Sequence, residues 1–352
     1  MADIRKAVQT DNDNLVDLLA RCPQGTNLVV RLDRAPDFFA RSQPYDMFQT
    51  FVAEEDGRVV GAVESAIKHI MMDGRMRKVA YHYSLAVDPA YRGKGLAQRL
   101  EETCTQYAQS QNADACYVWI LEDNIPSLKI TRRAGYADDV IFNVHALLPY
   151  QKRRIQKGVR PMKMDDLPQI VDLLNRTYSG YDFYGPHTPD TLLSFLHNLP
   201  GFDQSDYMVY EDGGRIVSCL GCWDYSKAIN GTIIRLSRKL SMLSAAIKVL
   251  RVLMPMPRVP ELGNNWSYCV PELPGYLDHP GQLVPLFNQL NNFAVERQVN
   301  VIMFPLDPKS NLNRLVKGSL TVSVGLHQLV KPLVADLKVS TGRLIYADPI
   351  DI

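Results

Sequence analysis

The sequence contains no uncharged apolar run of about 18 residues or more, which argues against a membrane-spanning helix. Its N-terminus carries Asp3, Arg5 and Lys6 with no apolar stretch behind them, so no secretory signal is evident. Six cysteines are scattered over 352 residues, which excludes a secreted disulfide scaffold. From these absences we expect a reduced, cytoplasmic protein.

An excess of charge of one sign is also missing. Lys and Arg number 39 and Asp and Glu number 38, for a net charge of +1. This balance excludes a globally basic nucleic-acid-binding protein, and we expect no nucleic-acid partner. Apolar residues make up 46% and charged residues 22%, which is typical of globular protein, and 352 residues suit two domains.

Two segments near the start of the chain return later in the same order. Ile4-Arg5, Asp11 and the apolar run 15–19 return as Val159-Arg160, Asp166 and 170–174. The apolar stretches around Asp56-Gly57 return around Gly213-Gly214. Each copy is thus predicted to begin with a strand, a helix and a β-hairpin. The repeat predicts two copies of one fold, at 1–149 and 159–352, joined by a basic connector at 150–158.

The stretch most informative about chemistry runs from Tyr81 to Ala97. A β-rich run, 81–87, stops at Asp88-Pro89, and a helical pattern starts at Leu96 after a turn that holds Gly93 and Gly95. The N–H groups of a first helical turn bind anions, and glycines let the backbone approach a phosphate closely. The turn lacks both the Walker A spacing and the third glycine of a dinucleotide-binding loop.

These residues resemble a known family. Val87-x-Pro89-x-Tyr91-Arg92-Gly93-Lys94-Gly95-Leu96-Ala97 resembles motif A of the GCN5-related N-acetyltransferases (GNAT), and Asn124-Ile125-Pro126-Ser127 with Arg133-Ala134-Gly135-Tyr136 resembles their motif B. The tandem layout and Cys222-Trp223-Asp224 resemble, more loosely, the plant Hookless-type N-acetyltransferases and related bacterial proteins.

The resemblance implies an α/β (α+β) fold, a tandem GNAT fold in which each copy is a mixed, mostly antiparallel sheet flanked by helices and the second copy is degenerate. It implies acetyl-coenzyme A as the acetyl donor, without a metal. The residues it assigns to this cofactor are Leu85, Ala86 and Val87 along the pantetheine, Arg92, Gly93, Lys94, Gly95, Leu96 and Ala97 at the pyrophosphate, and Asn124 with Ser127 at the cofactor arm.

Tyr81 and Tyr83 are the candidate catalytic residues, because the family often carries its base on this strand. A tyrosine with an ordinary pKa near 10 is a poor base at neutral pH, so packing with satisfied hydroxyls is the alternative. His82 points to the opposite face of the strand and is expected to be packed. Thr131 stands where the family usually has a tyrosine that protonates the departing thiolate. Either Tyr83 or Tyr136 supplies this proton instead, or the thiolate leaves without an acid.

The resemblance implies a GNAT-type N-acyltransferase that acetylates a primary amine of a small molecule or peptide by direct transfer. The alternative is a coenzyme A-binding regulatory or interaction protein with little turnover. In some tandem relatives a chain terminus lies in the acceptor site, where its carboxylate acts as the base. Residues 348–352 are a candidate for that role. Homo-oligomerisation stays open.

The second copy lacks the phosphate-binding turn, and Pro271 and Pro274 remove backbone donors there. The segment 235–258 has apolar residues at helical spacing, at 236, 240, 243, 247, 250 and 254, among basic residues. We expect a helix packed on the second sheet or covering the cleft; a membrane-surface helix is the alternative, and the sequence argues against membrane association. Cys219 and Cys222 are expected to be buried thiols.

Overall fold

The computed structural model describes residues 2–251, 253, 257–259, 261–339 and 341–352. In the first half of the chain the elements are, in order, β1 (Asp3–Lys6), α1 (Asn12–Arg21), β2 (Leu28–Asp33), β3 (Met47–Glu55), β4 (Arg58–Met72), β5 (Arg75–Val87), α2 (Leu96–Ser110), β6 (Ala115–Leu121), α3 (Ile125–Arg133) and β7 (Ala137–Leu147).

The second half starts after a connector, 150–158, that has no helix or strand. Its elements are β8 (Val159–Pro161), α4 (Leu167–Thr177), α5 (Pro189–Asn198), β9 (Tyr207–Asp212), β10 (Arg215–Asp224), β11 (Asn230–Leu236), α6 (Arg238–Leu250), β12 (Asn265–Trp266), β13 (Tyr268–Tyr276), α7 (Val284–Glu296), β14 (Val301–Leu306) and β15 (Thr321–Pro332).

The two predicted hairpins are confirmed, and their turns explain why they form. Asp56-Gly57 joins β3 to β4, and Gly213-Gly214 joins β9 to β10. All four residues have positive φ, between 50° and 79°, which is what the favoured two-residue hairpin turn requires. The apolar residues of α1 and α4 are buried against the sheet, as the helical spacing predicts.

One sheet of twelve strands runs through the described part of both halves, in the order β1-β3-β4-β5-β6-β15-β7-β14-β13-β10-β9-β8. Read inward from its two edges, the sheet has the same arrangement twice. The positions of β1, β3, β4, β5 and β6 in the first half correspond to those of β8, β9, β10, β13 and β14 in the second. At the centre the halves exchange strands: β15 lies between β6 and β7, and β7 lies between β15 and β14. The sheet is mixed and mostly antiparallel, with parallel pairs only at β5–β6 and β13–β14 among the described strands.

Both copies also share an ion-pair arrangement around a buried aspartate. Arg5 on β1 binds Asp11 at 2.7 Å and Glu54 at 2.5 Å. Arg160 on β8 binds Asp166 at 2.6 Å and Glu211 at 3.0 Å. The same three residue types thus join the first strand, the start of the first helix and the hairpin in each half, which supports duplication independently of the apolar pattern.

The helix α6 is not packed on the second sheet, which is one of the two arrangements expected for it. Only Ser244 is buried among its described residues, while Met242 is 74% and Val249 68% exposed. It follows β11, which pairs with β2 of the first half in a separate small sheet, β12-β11-β2. Met254, the last position of the predicted face, lies outside the described residues. No helix in the described part of the chain has the length and hydropathy to cross a bilayer.

Candidate active site

The turn between β5 and α2 is the predicted phosphate-binding turn. Gly93 and Gly95 both have φ of +77°, and a Cβ on either would meet no atom within 4 Å. The turn therefore leaves open space beside its backbone, in a conformation that L side chains rarely adopt. Leu96, the first residue of α2, is buried and holds the helix start against the sheet. The first N–H groups of α2 have no partners within the helix, so the turn can accept an anion.

The two cationic side chains of this turn have defined positions. Arg92 turns back and its Nε donates to the carbonyl oxygen of Val87 at 3.0 Å. The Lys94 ammonium lies over the ring of Tyr91, at 5.0 Å from its centroid. Both residues are exposed, so each keeps charge at the mouth of the turn.

Beside the turn, β5 and β6 separate into a wedge. Their parallel pairing runs from Val79–Ala115 to Tyr81–Tyr117 and goes no further. A bulge follows at Ser84, whose φ is +54° and where the register with β4 shifts. Beyond it, Ala86 and Val87 stay paired with β4, and no described strand pairs with residues 85–87 on their other side. An extended ligand could add itself there as a strand does.

Motif B lies at the start of α3, after the end of β6. Asn124 is the residue before the helix, and its side-chain oxygen accepts a hydrogen bond from the Ser127 backbone N–H at 3.3 Å. Asn124 is exposed and Ser127 half-buried. Thr131 is buried within α3. The structure thus gives Asn124 a helix-capping role besides any contact with a cofactor.

Tyr81 and Tyr83 stack on one face of β5, with ring centroids 5.0 Å apart. The hydroxyl of Tyr83 donates to Ser42 Oγ at 2.8 Å, and Ser42 Oγ donates to Glu64 Oε1 at 2.7 Å. Arg34 binds the other Glu64 oxygen at 2.6 Å. All of these side chains are buried. Burial, and next the Glu64 carboxylate, hold the pKa of Tyr83 well above its ordinary value.

A buried cluster around Asp351 occupies the other side of Tyr81. Asp351 accepts hydrogen bonds from Tyr45 at 2.8 Å, Tyr117 at 2.7 Å and Lys68 at 3.0 Å, and its backbone oxygen accepts one from Tyr81. Burial lowers the pKa of Lys68, but the Asp348 and Asp351 carboxylates outweigh burial and raise it above its ordinary value. The candidate segment 348–352 therefore lies at this site, with Asp351 held by four side chains of the first half.

Arg41 joins this cluster to the second half. Its guanidinium lies 4.6 Å from the centroid of the Tyr83 ring and donates to the Tyr225 hydroxyl at 2.8 Å. Its Nη2 also donates to the carbonyl oxygen of Ile352 at 2.9 Å, which Tyr225 contacts at the same distance. Side chains from both halves thus surround the tyrosines of β5.

His82 and Tyr136 lie on the other face of the sheet. The Tyr136 hydroxyl is 3.0 Å from His82 Nδ1, in a separate apolar cluster. Burial, and to a lesser degree the charge of Lys331, lower the pKa of His82 to about 3. His82 is therefore neutral and packed, and Tyr136 is not brought beside Tyr83.

The second copy keeps the bulge but not the turn. Leu273 on β13 has φ of +44°, and β10 shifts register there as β4 does beside Ser84. Glu272 takes the place of Tyr83, and both its carboxylate oxygens are buried without a hydrogen-bond partner in the described structure. The wedge between β13 and β14 borders a cavity that is lined in part by the chain's own residues Ile345, Tyr346, Ala347 and Pro349. Cys219 and Cys222 are buried free thiols.

The sequence interpretation missed most partners of the tyrosines: Arg34, Arg41, Ser42, Glu64, Lys68, Tyr117 and Tyr225. One signal was available, since Glu64 interrupts the apolar run 59–67 and a carboxylate inside a buried strand needs partners. No local pattern marks the others. Within the described residues, no group of three or more His, Cys, Asp or Glu side chains is placed to hold a metal ion.

Comparisons with known proteins show which family this chain is similar to. Residues 12–136 match the model of the "Acetyltransferase (GNAT) family". An uncharacterized N-acetyltransferase of Methanocaldococcus jannaschii is 24% identical over 38% of this chain and 60% of its own length. Another from Archaeoglobus fulgidus is 27% identical over 35% of this chain and 84% of its own. The matched segment thus spans less than two thirds of the first of these relatives.

A solved structure extends the likeness to nearly the whole chain. Saccharomyces cerevisiae N-myristoyltransferase with bound myristoyl-CoA superposes with a TM-score of 0.65 over 99% of this chain and 90% of that one, at 12% identity. At that identity the likeness concerns the fold alone.

Proposed function

This chain belongs to the GNAT superfamily of N-acyltransferase enzymes, and on this premise we propose that it transfers an acetyl group from acetyl-coenzyme A directly to a primary amine. The observation that carries the proposal is the pairing of an open glycine turn with an adjacent strand wedge. The two glycines with φ of +77° follow the end of β5, and the parallel pairing of β5 with β6 stops before this end, at Tyr81. A pyrophosphate and an extended pantetheine chain fit these two features respectively.

We assign the binding roles as follows. The backbone N–H groups of 92–97 would hold the pyrophosphate, with Arg92 and Lys94 adding charge. Leu85, Ala86 and Val87 would pair with the pantetheine arm, and Asn124 with Ser127 would flank it. The Val87 carbonyl already accepts hydrogen bonds from Arg92 and Cys22, so Leu85 and Ala86 are the freer part of this edge.

Deprotonation of the acceptor is assigned to a relay, defined as Tyr83, Ser42 and Glu64. The pKa of Tyr83 is too high for it to act as a tyrosinate base, so it can only give one proton while it takes another. Its own proton points to Ser42, which leaves a lone pair of the phenol oxygen for the amine. When the nitrogen attacks the thioester carbon, its proton passes to Tyr83, and the protons of Tyr83 and Ser42 move one step toward Glu64.

The same relay accounts for the missing acid. The C–N bond forms and the C–S bond breaks, and the departing thiolate needs the proton that the nitrogen lost. Reversal of the relay returns it through Tyr83 and restores the starting state. Thr131, buried inside α3, is not required for this step.

The acceptor is proposed to be a small molecule or peptide with a primary amine, and the working site to lie in residues 1–149 with a cytoplasmic location. The second copy supplies Tyr225 and borders the site. Its strand β13 carries prolines where donors would be needed, which supports a role in shaping the acceptor cleft.

Thiol release from acetyl-coenzyme A over a panel of primary amines tests the proposal. Gly95→Glu adds a strained residue and a negative charge at the turn, so we expect coenzyme A binding to weaken more than about ten-fold and turnover to be lost. Gly214→Glu is the matched control, because that glycine also has a positive φ of 79° and open space, but sits in the second hairpin. Isothermal titration measures binding of the cofactor to both variants.

Two outcomes contradict the proposal. If Gly95→Glu binds coenzyme A as well as Gly214→Glu does, the turn is not the phosphate site. If the unaltered protein binds the cofactor tightly and acetylates no amine, the alternative of a coenzyme A-binding regulatory protein is supported.

A further inference from the structure

The helix α6 presents an apolar stripe to solvent. Met242, Ala246 and Val249 follow the spacing of one helical face, and all three are exposed. The opposite face, Leu240, Ser244 and Ile247, turns inward and is buried or half-buried. The stripe is therefore not the packed face of the helix.

The exposure is large for apolar side chains. Besides Met242 and Val249, Leu243 is 54% and Leu250 41% exposed, and Leu253 just beyond the helix is 80% exposed. Soluble proteins rarely expose large contiguous apolar surfaces, and such surfaces usually mark sites of interaction with a protein, a ligand or a membrane.

The charge of the segment that carries the stripe is predominantly of one sign, although Lys248 is paired with Glu261 at 2.9 Å. No acidic residue occurs between Asp224 and Glu261, while this stretch holds seven basic residues: Lys227, Arg235, Arg238, Lys239, Lys248, Arg251 and Arg258. Arg238 and Lys239 occupy the first turn of α6, where the helix dipole is already positive, so they oppose helix stability. Their placement is better explained by an anionic partner outside the protein.

We propose that α6 binds the surface of an anionic lipid bilayer, lying parallel to it with the stripe among the headgroups and the basic residues on lipid phosphates. An exposed apolar face beside clustered Lys and Arg is the chemistry that such surfaces recognise. The expectation against membrane association rested on a helix packed on the second sheet or covering the cleft; the structure instead leaves one apolar face of α6 exposed and available to a bilayer. The inference does not depend on the proposed acetyl transfer.

The helix also adjoins the candidate active site. The Ser237 backbone N–H, at the start of α6, donates to the Asn27 carbonyl oxygen at 2.7 Å. The neighbouring Thr26 hydroxyl bonds to Asp123, the residue before Asn124. A lipid-bound α6 would therefore hold the motif B end of the cleft close to the bilayer.

Flotation of the full chain with vesicles tests the inference. We expect binding to phosphatidylcholine vesicles containing phosphatidylserine at least about ten-fold above binding to pure phosphatidylcholine, falling as salt is added. Met242→Glu should abolish most of it. Ser241→Glu is the matched control, since it places the same charge one position away, at an exposed residue off the stripe.

Absence of binding to anionic vesicles at low ionic strength would overturn the inference. So would equal losses in the two variants, which would show a response to charge alone. Sedimentation that reveals a dimer lost in Met242→Glu, without vesicle binding, would assign the stripe to a second copy instead. Matching thermal midpoints of the two variants ensure that neither loss reflects unfolding.

Discussion

The hydroxyl of Tyr83 is separated from the Glu64 carboxylate by one serine. This arrangement changes what a buried tyrosine can do, because the phenol need not ionise to move a proton. The carboxylate is in turn held by Arg34 at 2.6 Å, so the geometry of the relay is set by β4, β5 and the segment between β2 and β3. Ser42 is a positioning residue, since it acts through Tyr83.

Ser42→Ala interrupts the relay while leaving Tyr83 in place. We expect kcat to fall about 10- to 100-fold, within the usual contribution of proton transfer, with the KM for acetyl-coenzyme A unchanged. Steady-state kinetics at saturating amine separates the two constants. Ser65→Ala is the control, because Ser65 is equally buried and its hydroxyl has no partner among the described residues. Equal kcat values for the two variants would rule out the relay.

At the scale of elements, the repeated ion pairs hold the first strand, first helix and hairpin of each half together. The Arg5 guanidinium lowers the pKa of Asp11, and Arg160 lowers that of Asp166. A carboxyl whose pKa is lowered on folding stabilises the protein above its ordinary pKa. That stability is lost as the pH falls through the lowered value.

Asp166→Asn should therefore lower the free energy of unfolding by about 1 kcal/mol at pH 7, a modest value because Arg160 is partly exposed. The difference from the unaltered protein should shrink below about pH 4 and vanish once the native carboxyl is protonated. Urea unfolding between pH 7 and 3 measures it, and Asp11→Asn should behave alike. Asp172→Asn, in an exposed helix pair with Arg176, should change little at any pH, and a loss as large there would contradict the assignment.

At the scale of the whole molecule, the central strand exchange makes each half depend on the other. β15 pairs with β6 and β7 along most of its length, so the sheet of the first half is closed by a strand from the second. One apolar cluster also spans both halves, from Ile70 and Tyr81 to Leu174 and Trp223. The predicted boundary at 150–158 thus separates two sequence copies that share one sheet.

Residues 1–149 expressed alone should not form a folded monomer, because the gap between β6 and β7 leaves two strand edges and part of the core uncovered. Co-expression with 150–352 should restore a soluble complex that binds coenzyme A. Gel filtration and circular dichroism follow both cases. A cooperative, cofactor-binding monomer from 1–149 alone would contradict this dependence.

The features that depend only on neighbouring residues could be predicted from the amino-acid sequence. The hairpins at Asp56-Gly57 and Gly213-Gly214, the stop at Pro89, the glycine turn and the start of α2 at Leu96 all follow from turn chemistry and helical spacing, which act over a few positions. The two copies could be recognised for the same reason, because the same short residue patterns occur in the same order in both halves of the sequence.

Contacts between distant parts of the chain could be identified only in the folded structure. The partners of Tyr83 come from positions 42 and 64, those of Tyr81 from 351, and the strand between β6 and β7 from 321–332. The outward face of α6 belongs here too, since spacing shows that a helix has apolar faces but not which one the rest of the molecule covers. Such contacts depend on how whole elements pack, and no periodicity within a single segment records them.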